Sequence, residues 1–259
     1  MPTNTAKRVG ILATGSEITS GEILNTNGRE IAQQLQAEGI VVGEHVVVDD
    51  QADNLKRAMQ FLLLHHDAMI TIGGLGPTSD DRTRFVLGDI TAEPLAENAH
   101  SWARIEERLT ARNVRISRSN RQQALFPATA EIYTNTNGTA DGCKWPLYQN
   151  KSIYLLPGPP KECLPLFETY IVPDLQASGF CSGNRLYRWR LTQVSESSVA
   201  ELLEEQMADY QLNFAYRAAY PHLDIKLMLD PHAAETVEIT AQIDGLLDKL
   251  GHDKTKNMK

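Results

Sequence analysis

Residues 71–85, TIGGLGPTSDDRTRF, set Gly73, Gly74 and Gly76 beside Pro77, Thr78 and Ser79 and then the adjacent carboxylates Asp80 and Asp81. Glycine lets a backbone turn with its N–H groups bare, and bare N–H groups beside carboxylates are what a phosphate and its metal ion require. The same residues also have a plain structural use, since Gly and Pro make turns and Ser79, Asp80 or Asp81 can cap a helix beginning near Asp80. Capping uses one carboxylate and leaves the other unexplained.

Three further loops carry acidic groups. Residues 15–27 hold Glu17 and Glu22, residues 49–53 hold Asp49 and Asp50, and LPGPPKE at 156–162 holds Glu162. Singly, each has an ordinary role: Glu17 or Glu22 in solvent, Asp49 or Asp53 capping the next helix, Glu162 in a first helical turn. Gathered at one edge, they supply the hard oxygen ligands that suit Mg²⁺ or Mn²⁺, and such a cation offsets their repulsion for an anionic substrate. There is no Ser-His-Asp order, no HExxH, no Walker A lysine and no GxGxxG in the first turn, and Ser16, Thr78 and Ser79 have no evident histidine base. Metal-assisted attack by water on phosphorus fits these residues better than covalent catalysis.

The elements that must gather these loops follow from hydrophobic period. RVGILAT (8–14) is a continuous apolar run ending at Gly15, the pattern of a strand buried on both faces. NTNGREIAQQLQAEGI then repeats Ile31 and Leu35 at helical spacing, with Asn25 or Thr26 as cap and Gly39 as stop. The unit recurs as a strand in IVVGEHVVV, a helix in ADNLKRAMQFLLLHH and a third strand in DAMITIGG; SIYLL is a fourth strand, leading through LPGPPKE into the helical CLPLFETYIVPDL. Between them, ENAHSWARIEERLTARN and SNRQQALF read as helices and EIYTNTNGTADG as a strand ending in a Gly-rich turn. Alternating strands and helices predict parallel pairing with right-handed crossovers, hence an α/β three-layer sandwich with a mostly parallel sheet. Ligands of such sheets bind outside the carboxyl ends of the strands, so the four loops are expected to share one site.

Past Gly179 the order changes to strand, helix, strand, strand, helix. This predicts a first domain over 1–178, a small α+β domain over 179–252 and a loose tail over 253–259.

Of the 259 residues, 42% are hydrophobic and 22% charged, as in an ordinary globular chain, and the net charge of −8 argues against a general grip on nucleic acid while leaving a local basic patch open. The longest apolar clusters, such as FLLL at 61–64, fall far short of the roughly 20 residues that span a bilayer. With no cleavage pattern after the first strand, no membrane association and a cytoplasmic location are expected. Cys143, Cys163 and Cys181 show no CxxC spacing, which suggests neither a disulfide framework nor a zinc site, only small buried or half-buried side chains. The pair His65 and His66 ends a helical pattern, where histidine complements the helix dipole.

The stretches ATGSEITSGEILNTN, GGLGPTSDDRTR, NTNGTADG and LPGPPKE resemble, in order and spacing, the signature loops of the competence/damage-inducible protein A (CinA) family, whose N-terminal domain is similar to molybdopterin-binding domains. The resemblance covers essentially the whole chain, with a KH-like α+β domain second. It implies a nucleotide- or pterin-like phosphate ligand and, for this branch, a metal-dependent ADP-ribose pyrophosphatase giving AMP and ribose 5-phosphate. Carried onto this chain, Gly73, Gly74, Gly76, Pro77 and Thr78 hold phosphate, Asp80, Asp81 and Asp49 act in catalysis, and Asp80, Asp81 and Glu17 serve the metal. Gly15, Glu17, Asn27, Gly138 and Thr139 complete the substrate pocket, which Pro157, Gly158, Pro159 and Glu162 close from the other side. The implied cofactor is Mg²⁺, Mn²⁺ or Co²⁺, with K⁺ as a further candidate, and the implied assembly is a homodimer.

Three departures from the family pattern stand out. The chain ends about where a nicotinamide mononucleotide deamidase domain would begin, so that activity is not expected. Asp141 stands where the pattern NGTAPG has proline, and Gln193 and Val194 replace a glycine before SES, with no G-x-x-G clamp for RNA. Two rival functions remain: binding or adenylylating molybdopterin in molybdenum cofactor biosynthesis, which also works on an adenylate anhydride, and a non-catalytic module linked to competence or DNA damage.

Overall fold

A computed structural model describes residues 7–147 and 150–250 in full and residues 255–258 as backbone. Contacts divide the chain into two compact units, Met1–Leu35 with Ile40–Cys181, and Gln36–Gly39 with Ser182–Lys259.

The first unit opens with strand β1 (Arg8–Thr14), the short helix α1 (Ser16–Thr19) and helix α2 (Thr26–Ala37), followed by β2 (Val41–Val48), α3 (Ala52–His65) and β3 (Ala68–Ile72). Next come α4 (Thr83–Thr91), β4 (Leu95–Glu97), α5 (Ala99–Ala111), β5 (Leu125–Pro127), β6 (Glu131–Tyr133), β7 (Gly142–Pro146) and β8 (Ser152–Leu156). Helices α6 (Pro160–Leu166) and α7 (Val172–Ala177) close it, joined by a π-helical turn at Phe167–Ile171. Pro173 has no N–H to give the preceding turn, and a widened turn is a common response to a missing helical donor.

The central sheet runs β2-β1-β3-β8-β7-β6. Its first four strands are parallel, and β7 and β6 continue it in antiparallel pairs. Helices cover both faces, giving the three-layer α/β sandwich with a largely parallel sheet. Val9, Ile11 and Ala13 of β1 pack with Ile31 and Leu35 of α2 on one face, while Leu12 packs with Leu55, Met59 and Leu62 of α3 on the other. Each fully buried Leu, Ile or Met contributes about 1.5–3 kcal/mol, so a one-residue slip would send these side chains to the wrong layers and is excluded.

Two local expectations give way to the structure. SNRQQALF is no α-helix: residues Arg118–Ala124 form a 3₁₀ turn, closed by a reciprocal Ser117 and Asn120 capping box, and Leu125 already belongs to β5. His66 does more than complement a dipole, because it is buried, with Nδ1 2.9 Å from the Leu62 carbonyl and Nε2 3.2 Å from the Glu44 N–H that donates to it. The register between β1 and β2 shifts at this point.

The second unit contains β9 (Arg185–Thr192), α8 (Glu196–Gln206), β10 (Ala215–Ala219), β11 (His222–Leu229), α9 (Ala234–Asp248) and β12 (Thr255–Met258). Its sheet has the order β10-β11-β9-β12 and is antiparallel throughout. Residues 255–258, expected within a loose tail, run beside β9; the remainder of that tail, 253–254 and 259, lies outside the described residues. Among the described residues no helix is long and apolar enough to cross a membrane.

Burial pushes the thiols of Cys143 and Cys163 up to about 12, whereas Cys181 is exposed. A thiolate-selective disulfide reagent at pH 8 is therefore expected to label one cysteine in the folded chain and three after denaturation; rapid labelling of Cys143 or Cys163 in the native state would contradict this packing.

Candidate functional site

The carboxyl ends of the parallel strands open into a cleft of about 270 Å³. Its lining draws on all the parallel-strand ends: Thr14 at the end of β1 with Gly15 and Glu17 after it, Asp50 after β2, Gly73–Gly76, Asp80 and Asp81 after β3, and Pro157–Pro159 and Glu162 after β8. Gln123, Thr139 and Ala140 complete it.

The glycine turn is held from behind by its carbonyls. Thr83 donates its hydroxyl to the Gly73 carbonyl (3.0 Å) and its N–H to that of Gly74 (3.2 Å), Arg84 Nη1 donates to Leu75 (3.0 Å), and Gln122 Nε2 donates to Gly76 (2.9 Å) and Thr78 (2.8 Å). Gly73 gives its own N–H to Leu156 (2.9 Å), extending the sheet by one bond. The N–H groups of Gly74, Leu75 and Gly76 have no hydrogen-bond partner among the described residues, and all three residues line the cleft. Consecutive unpartnered amides of this kind make an anion-binding concavity. Gly73 and Gly74 have φ of +99° and +68°, a backbone that side-chain-bearing residues rarely adopt.

Helix α4 begins at Thr83, not near Asp80, and none of Ser79, Asp80 or Asp81 caps it. The turn tightens on Asp81 first, whose Oδ2 accepts from the Thr78 N–H (2.9 Å) and the Thr78 hydroxyl (2.6 Å). Asp81 thus braces the loop. The Thr78 side chain also holds the Asp80 carboxyl below the usual carboxylate range, helped by Asp80's own N–H and by Arg82. Burial pulls the Arg84 guanidinium down to about 10, which leaves it charged at neutral pH behind the turn.

Asp49 lies outside the cleft lining. Its Oδ1 accepts from Gln51 N–H (3.2 Å) and Asn54 Nδ2 (2.7 Å), a brace on the first turn of α3. Its neighbour Asp50 faces the cleft, accepting from the Thr14 hydroxyl (2.8 Å) and from the N–H (2.9 Å) and hydroxyl (3.0 Å) of Ser16. On the opposite wall Glu162 accepts from Asn135 Nδ2 at 2.6 Å. A Cβ on Gly138 would overlap that same Glu162 oxygen, so Gly138 is placed to let the carboxylate in, although it does not itself line the cleft.

Asn135 ties this wall together. It is buried, donates to Ala140 (2.9 Å) as well as Glu162, and accepts from the N–H groups of Asn137 and Gly138 (both 2.9 Å). Arg104 and Arg108, one helical turn apart on α5, donate to the carbonyls of Asn135 (2.6 Å), Thr136 (2.5 Å) and Gly138 (2.6 Å). Arg104 also pairs with the buried Asp141 at 2.6 Å, and Asp141 accepts from the Asn135 N–H at 2.8 Å.

Pro77 and Thr78 fall outside the cleft, and Asn27 lines an adjoining cavity of about 290 Å³ that shares Thr14, Glu17, Gly158 and Pro159 with it. Ile18, Ile23, Leu24 and Ile72 make that cavity more apolar. Asn27 donates to the Gly158 carbonyl at 2.7 Å, while its buried Oδ1 has no partner among the described residues.

Asp80, Asp81 and Glu17 do not compose a metal cage: among the described residues no group of three His, Cys, Asp or Glu side chains is placed to hold an ion. Asp81 is engaged with Thr78, Asp50 with Thr14 and Ser16, and Glu162 with Asn135. Sequence reasoning placed Asp50 only among the acids of the shared edge and assigned no site role to Asn135, Gln123 or the bracing Arg84 and Gln122. Of these, only Asn135 carries a local signal, the Asn-rich turn NTNG.

Residues 10–177 match the family described as "Probable molybdopterin binding domain", a stretch that contains every residue of the cleft. The putative competence-damage inducible protein of Symbiobacterium thermophilum is 36% identical over 234 residues, 88% of this chain and 54% of that one. Its counterpart in Clostridium botulinum (strain Okra) is 37% identical over 195 residues, 75% of this chain and 47% of that one. The chain thus spans about half the length of the curated relatives it matches. Among solved structures, the CinA protein of unknown function from Thermoplasma acidophilum superimposes with a TM-score of 0.59 at 28% identity, over 65% of this chain and 98% of that one. The chain therefore belongs to the family of probable molybdopterin binding domains, among relatives described as CinA and competence-damage inducible proteins.

Proposed function

We propose that the cleft binds a phosphate-bearing pterin of the molybdopterin class, with its phosphate on the amides of Gly74, Leu75 and Gly76. The three adjacent unpartnered N–H groups carry this reading, since they offer an anion fixed donors at no cost in rearrangement. The adjoining apolar cavity, with Asn27 at its wall, suits a fused ring bearing hydrogen-bonding edges. Asp81 keeps the turn closed, and Glu162 and Asp50 face the ligand from either side.

The acidic lining favours a second reading. Glu17, Asp50, Asp80, Asp81 and Glu162 surround a site for an anion, and their repulsion calls for a cation that arrives with the ligand's own phosphates. An adenylate anhydride complexed to Mg²⁺, Mn²⁺ or Co²⁺ meets that demand. ADP-ribose is then cleaved by water to AMP and ribose 5-phosphate.

Calorimetric titration with a pterin monophosphate, beside chromatography of products after incubation with ADP-ribose and each cation, tests both. Saturable binding of the pterin phosphate without AMP formation is the expected result. AMP release transfers the assignment to the hydrolase, and no binding of either compound would sink the phosphate site itself.

A further inference from the structure

Charge in the second unit is sorted by layer. Helices α8 and α9 carry Glu196, Glu201, Glu204, Glu205, Glu235, Glu238, Asp244 and Asp248 and no Lys or Arg. They pack on one face of the sheet, through Val199, Leu203, Ile239 and Ile243 against Trp189, Leu191, Leu223 and Ile225. Strand alternation sends the intervening residues to the other face. There the register sets Arg217, Asp224 and Arg190 side by side on one rung, and Ala215, Lys226 and Arg188 on a second rung two residues along.

Four cations and one carboxylate thus share this face of a chain whose net charge is −8. Asp224 is committed to Arg190, accepting from Nε at 2.6 Å and Nη2 at 3.0 Å. Arg188, Arg217 and Lys226 have no such carboxylate partner among the described residues. The enclosed Nε of Arg188 finds no acceptor among the described residues, and Lys226 is held below the usual lysine range by burial and then by the charges of Arg188 and Arg217.

We propose that this sheet face binds the sugar-phosphate backbone of single-stranded nucleic acid, independently of the cleft in the first unit. By strand spacing, Lys226 and Arg188 are about 4.8 Å apart on neighbouring strands, Arg217 and Arg190 about 9.6 Å apart with Asp224 between them, and Arg188 and Arg190 about 6.8 Å apart along β9, a spread wider than one small anion and suited to successive phosphates. Ala215 and Ala219 leave the surface low enough for a backbone to approach. None of the exposed large apolar side chains among the described residues lies on β9, β10 or β11, so the face lacks the anchors of a protein interface. Among the described residues the face carries cations and no row of exposed aromatics, with Tyr220 exposed only in the turn between β10 and β11 and His222 at the start of β11, so recognition rests chiefly on charge and tolerates any base sequence. The groove of a duplex admits a helix or a two-stranded ribbon, not the flat of a four-stranded sheet, which selects a single strand.

Fluorescence anisotropy of the full chain with a short labelled single-stranded DNA of mixed sequence tests this. Three phosphate contacts, each lowering the log–log salt slope by about 0.7, predict a slope of about −2 and an affinity loss of about 15-fold between 50 and 200 mM salt. The Arg188→Ala, Arg217→Ala, Lys226→Ala variant is expected to lose binding, and Arg217→Lys to keep it. Asp224→Asn, which releases Arg190, is expected to bind tighter with a slope steeper by about 0.7, a gain that misfolding does not produce. Absence of binding at 50 mM salt, unchanged affinity in the triple variant, or equal competition by poly-glutamate or phosphatidylserine vesicles would each overturn the proposal.

Discussion

Asp141→Ala is expected to cost about 3 kcal/mol of stability and to loosen the Glu162 wall of the cleft, while Asp141→Asn costs less than half as much. Asp141 is 1% exposed, and its Oδ1 serves both Arg104 and the Asn135 N–H. Removing one partner of a buried ion pair strands the other charge, at about 3–5 kcal/mol; the Arg104 side chain keeps 24% of its exposure, which places the effect at the low end. Asparagine still accepts from Asn135 and Arg104 and so keeps the loop. For a chain of this size about 3 kcal/mol lowers the thermal midpoint by roughly 6–12 °C. Urea denaturation and ligand titration of both variants check it; equal stability of Asp141→Ala and wild type would remove Asp141 from the account. The turn around Asp141 is thus closed by an ion pair with Arg104.

The second large effect is expected from Gly73→Ala, with the neighbouring Gly158→Ala as its internal comparison. At Gly73 a Cβ would lie 2.7 Å from the backbone oxygen of Thr14, on a residue with φ of +99°. Neither a rotamer change nor a side-chain shift relieves a clash with a main-chain atom of β1. A strained φ and that overlap together cost about 2–4 kcal/mol, and movement of the turn takes the amides of Gly74, Leu75 and Gly76 out of line. At Gly158 the nearest atom to an added Cβ is Gly73 Cα at 3.7 Å, an ordinary contact. Gly158→Ala is therefore expected to fold as wild type. Chemical denaturation and pterin phosphate titration should show Gly73→Ala weakened in both and Gly158→Ala unchanged in stability; the reverse order would discard the turn's geometry as drawn here.

Both effects depend on contacts between residues far apart in the chain, and that marks how much of the site was legible in advance. The apolar runs of β1, β3 and β8 announced buried parallel strands, and parallel strands alone send the loops after them to one edge. The glycine cluster of 73–76 announced a tight turn, and Gly73 and Gly74 do take the positive φ that favours glycine. Which of two adjacent acids faces the cleft was not: Asp49 turns to the start of α3 and Asp50 to Thr14 and Ser16, a choice made by one residue of turn geometry. Likewise the paired Asp80 and Asp81 read as a helix cap or a metal pair, and the structure has Asp81 closing a turn on Thr78 three residues back while the helix waits until Thr83.

The sequence by itself determined the layers of the first unit, the shared edge and the glycine turn, because hydrophobic period and glycine backbone freedom are local properties. Only the tertiary structure decided which side chains hold that edge open. Arg84 and Gln122 behind the turn, and Arg104, Asn135 and Asp141 behind Glu162, act through hydrogen bonds to backbone atoms 9 to 57 residues away, or to side chains at similar range. Such bonds depend on where the packed helices bring the donors, and no local pattern encodes that distance.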